Sequence, residues 1–222
     1  MKDETRRAAF FDFDGTLIPV DSIVAFLQFA RRRGVLPLWE WAGTAVHAFL
    51  GKIGAEGMDR VKTRALRFEQ KLPCAERERL CREFAEEKLI PLLFPEGKRT
   101  WDALKKEGRV MVLVSASTRD YMKYVSAALG ADELICTVVS AGGAVGPNCR
   151  GAEKEKRVLK WLEGLPGDAR PEMAASDAYG DSAGDVFMLR MCGRAHAVNP
   201  RRKLKREAEE KGWEILRWKR ST

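Results

Sequence analysis

The chain has no Cys-x-x-Cys pair. Its five cysteines, Cys74, Cys81, Cys136, Cys149 and Cys192, are scattered and odd in number, which argues against a zinc site or a disulfide framework. They read as reduced thiols without a catalytic role. An apolar leader is also lacking, since Met1 to Arg7 are charged and run straight into a strand, and this predicts a cytoplasmic protein. The densest apolar stretch, residues 35–50, is broken by Glu40, Gly43 and His47 and falls short of the roughly 20 residues of a membrane span. A disordered chain is excluded as well: 222 residues with 45% hydrophobic content can bury one large domain, or one domain with an insertion.

Charge is present in excess. The net +8 gathers in Arg31-Arg32-Arg33, in 201–206 and in Arg217 with Lys219 and Arg220. Such runs attract anions, and read first as solvated helix ends and faces.

The stretch around which the rest is organised is Phe10-Phe11-Asp12-Phe13-Asp14-Gly15-Thr16-Leu17. Residues 8–13 are apolar, too short for a helix and closed by Gly15, so they predict a buried strand. Side chains two apart on a strand share a face. Asp12 and Asp14 are therefore expected to leave the strand's carboxyl end on one side, where open α/β sheets bind ligands. A polar turn accounts for Asp14 before Gly15. It does not account for Asp12 between two phenylalanines, where an unpaired charge is costly. A carboxylate so placed can act as a nucleophile, and a second can move protons.

After this strand, residues 21–89 are helical, with helices expected at about 22–33, 35–50, 58–70 and 73–89. From 96 onward helices alternate with strands, the latter at 109–114, 134–139, 173–179 and 195–198, with a glycine loop at 142–151. The fold class is α/β: a doubly wound parallel sheet with helices on both faces. The expected domains are a core of 1–20 and 90–222 and an inserted helical cap of 21–89.

Three strand ends carry polar residues suited to a phosphate. Ser115 and Ala116 precede a helix and offer a hydroxyl and backbone N–H groups, although serine also caps helices. Gly180-Asp181-Ser182-Ala183-Gly184-Asp185 places two carboxylates four apart, an oxygen donor set suited to Mg²⁺. Capping explains Asp185 through the Ser182-x-x-Asp185 spacing but leaves Asp181 unexplained. A cation is needed beside a transferred phosphoryl group, and spacing leaves Lys154 and Lys156 as candidates.

Taken in order, Asp12-x-Asp14-Gly15-Thr16, Ser115, a lysine and Gly180-Asp181-Ser182-x-x-Asp185 resemble the haloacid dehalogenase superfamily. The likeness is to its phosphoserine phosphatase-like branch, which inserts a helical cap after the first motif. The resemblance spans nearly the whole chain. It implies a Mg²⁺-dependent phosphatase with Asp12 as nucleophile and Asp14 as general acid and base. Mg²⁺ would be held by Asp12, the Asp14 carbonyl and Asp181, with Asp185 as a further ligand or close to the ion. Ser115 and Ala116 would bind phosphate, and the Cys-x-Gly-x-Glu-Lys pattern of the branch selects Lys154 over Lys156.

The resemblance weakens in the cap. Asp21 stands near the position of a substrate-binding Glu, and Arg60, Arg64 and Arg67 compete for that of a substrate-binding Arg. Ser115-Ala116-Ser117 replaces the usual Ser-Gly-Gly. The expected partner is a small phosphorylated substrate, with phosphoserine one candidate. The alternative is a lipid phosphate of the phosphatidylglycerophosphatase kind, because Arg31-Arg32-Arg33 before an aromatic segment suits an anionic membrane surface. A phosphotransferase shares the same motifs. No nucleic-acid partner is expected, and the intact acidic set argues against a non-catalytic binding module.

Overall fold

Residues 6–38, 66–139 and 146–220 are described by the computed structural model, Arg67 by its backbone only. Arg60, Arg64, all but residues 36–38 of the aromatic segment 36–49 and the first part of the glycine loop lie outside them.

Strand β1 (Ala8–Phe11) is buried at every residue, and its side chains divide between two cores. Ala9 and Phe11 join Met111 and Leu113 of β2 (Val110–Thr118) in one; Ala8 and Phe10 join Val110, Val112 and Val114 in the other. A strand apolar on both faces is what a central parallel strand covered by two helical layers requires. The first core packs beneath α1 (Ser22–Arg32), α2 (Arg67–Gln70), α3 (Cys74–Phe84), α4 (Pro95–Lys106) and α5 (Arg119–Leu129), through Phe26, Phe68, Phe84, Trp101 and Tyr121. The second lies under α6 (Ala152–Gly164), α7 (Val186–Met191) and α8 (Arg202–Lys211), through Val158, Met188 and Leu204.

The sheet has six strands, all parallel, in the order β3 (Glu133–Thr137), β2, β1, β4 (Asp177–Gly180), β5 (Arg194–Val198) and β6 (Glu214–Leu216). This is the doubly wound α/β class read from the alternation. The strand order reverses at β1, whose neighbours are β2 and β4. The carboxyl ends of these three strands therefore meet at the switch point where such sheets hold ligands.

Several boundaries differ from expectation, each for a local reason. Strand β2 continues through Thr118, with a register shift against β3 between Ser115 and Thr118; residues 115–118 are extended rather than loop. The expected strand at 173–179 is a 3₁₀ turn, Met173–Ala175, followed by β4. Ser176 separates the two: its N–H donates to Met173 O, and its Oγ donates to Glu172 O and accepts from Ala8 N–H. Helix α3 ends at Phe84 and passes through a π-helical turn, Ala85–Leu89, into a 3₁₀ turn, Ile90–Leu92, because Pro91 has no N–H to extend the ladder. Among the described residues no helix is long and apolar enough to cross a membrane.

Candidate active site

Strand β1 ends at Phe11, so alternation no longer governs the two acids beyond it. Asp12 and Asp14 line one cavity of about 110 Å³, and their hydrogen bonds run to helices of the two opposite layers. Asp12 Oδ1 accepts from Lys154 Nζ of α6 at 2.6 Å, and Oδ2 accepts from Thr16 Oγ1 at 2.9 Å. Asp14 Oδ2 accepts from Ser22 Oγ of α1 at 3.0 Å and Ser117 Oγ of β2 at 2.9 Å. The divergence comes from the turn. Gly15 has φ +89°, and a Cβ there would overlap the Asp181 carboxylate, so only glycine lets the chain fold back this close to the end of β4.

Lys154 distinguishes itself from Lys156 by burial. It is 1% exposed, whereas Lys156 is exposed. Its ammonium donates to Asp12 Oδ1, to Asp185 Oδ1 at 2.7 Å and to Val114 O at 2.9 Å. Burial works against its charge, but the carboxylates of Asp12 and Asp185 outweigh that and hold it protonated. A buried lysine is tolerable on these terms alone: two anions and a carbonyl take its three donors.

Asp185 closes the loop after β4. Its Oδ2 accepts from Ser182 N–H at 3.0 Å and Ser182 Oγ at 2.9 Å, so the Ser182-x-x-Asp185 spacing forms a loop clasp and α7 starts only at Val186. Asp181, also buried, accepts from Arg201 Nε at 2.8 Å. Asp12, Asp181 and Asp185 each offer a carboxylate oxygen within 4.8 Å of the others. Three hard oxygen donors converging at this distance fit Mg²⁺. Burial and Asp185 push both Asp12 and Asp181 upward, opposed by Lys154 and Arg201 respectively. Asp14 is pushed up to about 7 by burial and the neighbouring Asp21 carboxylate, against the hydrogen bonds from Ser22 and Ser117.

Other expected residues are placed less simply. Ala116 lines the cavity. Ser115 is buried, and its Oγ accepts from Ser117 N–H at 3.0 Å. Asp21 lines the cavity too, but its Oδ1 caps α1 by accepting from Ile23 and Val24 N–H. Arg33 of the basic run pairs with Glu83 and Glu87, and the Arg60 and Arg64 sites fall outside the described residues. Ser117, Asn148, Arg150 and Arg201 also line the cavity and had no assigned role among the expected site residues. For Ser117 a signal existed: it lies two residues after Ser115 on a strand that runs further than expected.

Three comparisons bear on this arrangement. A "probable phosphatase" of Mycobacterium tuberculosis is 32% identical over 225 residues, covering 97% of this chain and 76% of that protein. A histidinol-phosphatase of Neisseria meningitidis is 26% identical over 225 residues, covering 96% of this chain and all of that protein. A solved phosphoserine phosphatase, described as a phospho-aspartyl intermediate analogue, superposes with a TM-score of 0.65 at 20% identity, over 98% of this chain and 96% of that one, a likeness of fold. With the family model of haloacid dehalogenase-like hydrolases matching residues 9–190 across β1, β2, β4 and the four acids they carry, the chain belongs to that family.

Proposed function

We propose that the chain is a Mg²⁺-dependent phosphatase of phosphoserine phosphatase-like type, hydrolysing a small phosphate monoester through an aspartyl-phosphate on Asp12. The observation that carries this reading is the separation of roles in one cavity: Asp12 is tied to a buried lysine, while Asp14 is held by the neutral donors of Ser22 and Ser117.

Asp12 attacks phosphorus and the bond to the leaving oxygen breaks, while Asp14 gives that oxygen its proton. Asp14, now a carboxylate, takes a proton from the water that hydrolyses the acyl phosphate. Lys154 steadies the Asp12 carboxylate and offsets charge on the transferred group. When bound between Asp12, Asp181 and Asp185, Mg²⁺ would supply further charge neutralisation for that group. The Ser115 and Ala116 end of β2 binds the phosphate, with Ser115 Oγ held by Ser117 N–H. Asp21, with one oxygen committed to the α1 cap, has the other for a cationic group on the substrate. The helical block of 21–89 acts as the cap over this cavity, and the chain works in the cytoplasm. The membrane-surface reading rests on Arg31-Arg32-Arg33 followed by the aromatic segment 36–49, most of which lies outside the described residues, and is not pursued as a second function.

The test is a panel of phosphate monoesters with Mg²⁺, including phosphoserine and histidinol phosphate, run with and without acceptor alcohols to detect phosphoryl transfer. Asp12→Asn is expected to abolish turnover with an unchanged melting temperature. Near-normal turnover in that variant would overturn the nucleophile assignment.

A further inference from the structure

Asp14 is held by more than one hydroxyl, and the hydroxyls hold one another. Ser22 Oγ and Ser117 Oγ both reach Asp14 Oδ2 and lie 2.6 Å apart; Ser22 Oγ also lies 3.0 Å from Tyr121 OH. All three hydroxyl residues are buried. They come from three elements, α1, β2 and α5, so their meeting at one carboxylate oxygen is a property of the tertiary fold. The phenol ring is fixed in turn: it packs 5.3 Å from Phe26 and 5.2 Å from Phe84, centroid to centroid.

The hydrogens can be counted. Three hydroxyls carry three hydrogens, and four contacts need filling: Tyr121 to Ser22, Ser22 to Ser117, and each serine to Asp14. Tyr121 OH, at the end of the chain, donates to Ser22. Ser22 then donates to Ser117 or to Asp14, and Ser117 donates to Asp14. In the first arrangement Asp14 Oδ2 accepts from Ser117 alone, and in the second from both serines. Asp14 Oδ1 is buried and has no hydrogen-bond partner among the described residues.

Resting on the phosphatase reading above, we propose that Ser22, Ser117 and Tyr121 are positioning residues that lock the Asp14 carboxyl in the orientation from which it exchanges a proton with the leaving group. In the first step the phosphorus–oxygen bond of the ester breaks, the bond from Asp12 to phosphorus forms, and the Asp14 proton passes to the departing oxygen. Without the lock the carboxyl group can turn and present either oxygen, and the proton is misplaced for part of the time. Positioned proton transfer is worth about 10²–10⁴-fold in rate, so a partial loss of alignment is expected to cost about 10–100-fold when the leaving group needs the proton.

The experiment compares kcat/KM, which reports the step that expels the leaving group, for an alkyl phosphate and for p-nitrophenyl phosphate, whose phenolate leaves without protonation. Ser117→Ala and Tyr121→Phe are expected to lose about 10–100-fold on the alkyl ester and no more than about threefold on the nitrophenyl ester, with Ser117→Thr recovering most of the loss. Equal losses on both esters would overturn the proposal by showing a merely structural role. Tyr121→Phe, which keeps ring packing, decides the question should Ser117→Ala fold poorly. A wild-type chain that hydrolyses neither ester with Mg²⁺ would overturn the phosphatase reading, and this proposal with it; activity in the wild type with equal losses in the variants overturns the proposal alone.

Discussion

Glu69 closes the short helix α2 with none of its surface exposed, and its Oε2 has no hydrogen-bond partner among the described residues. Burial, reinforced by the Asp120 carboxylate and opposed by Arg77, pushes its acid up to about 8. The sign of the consequence follows from proton counts. An unfolded glutamate ionises near about 4.3, so between that pH and about 8 the folded chain binds more protons than the unfolded one, and stability falls as pH rises. Glu69→Gln removes the ionisation. Its melting temperature is expected to match the wild type at about pH 4 and to exceed it by several degrees at about pH 8; a gap that does not change with pH would contradict this. Nothing in the sequence marked Glu69, because a single acid among Arg67, Phe68 and Gln70 has the spacing of an exposed helix residue. Lys154 was legible only in outline for the same reason. Spacing gave two lysines, and what separates them is the burial that packing imposes.

At the scale of elements, the amino ends of the sheet strands are bolted by Asp177 at the start of β4. It pairs with Arg109 just before β2, accepts from Arg194 Nε of β5 at 2.8 Å, and lies 3.1 Å from His196 Nε2. Burial works to raise its acid, but the hydrogen bonds with His196 and Arg194 and the charge of Arg109 outweigh this and hold it below the usual carboxylate range. A depressed acid stabilises the fold above its unfolded value of about 3.9 and stops doing so as pH falls through the folded one. Asp177→Ala leaves the buried Arg109 with only the half-exposed Glu107 as a carboxylate partner and is expected to cost about 3 kcal/mol at neutral pH, shrinking below about pH 4. Chemical denaturation at the two pH values checks both parts. The strands and helices themselves were largely readable, because 8–13 and 109–114 are apolar on both faces and the helices carry periodic apolar stripes. Turns were not: the 3₁₀ segment at Met173–Ala175 is as apolar as a strand, and only the hydrogen bonds of Ser176 set it apart.

For the molecule as a whole, the positive excess is not evenly spread about the site. Arg150 and Arg201 line the cavity, and exposed Arg202, Lys203, Lys205 and Arg206 continue from Arg201 along α8. Cations at a cavity mouth raise the local concentration of anionic substrate, and salt screens the effect. The kcat/KM for a phosphate monoester is therefore expected to fall several-fold from low to high ionic strength, with the steepness reduced in a charge-neutralised 202–206 variant; a salt-independent wild type would refute it. Sequence reading treated these runs as solvated helix faces, since no spacing rule places residue 201 beside residue 181. That neighbourhood depends on the sheet order.

The sheet order also sets a schedule for synthesis. Ala8 pairs with Val110, and Phe11 with both Leu113 and Tyr179, so the central strand emerges from the ribosome long before either neighbour exists. For that interval an Ala-Ala-Phe-Phe segment has no native edge to join, the condition in which nascent chains are most open to mispairing. The helices of 22–32 and 74–84, which lay Phe26, Phe29 and Phe84 against the same core as Phe11, are translated in that interval, and they give the nascent strand its first apolar shelter.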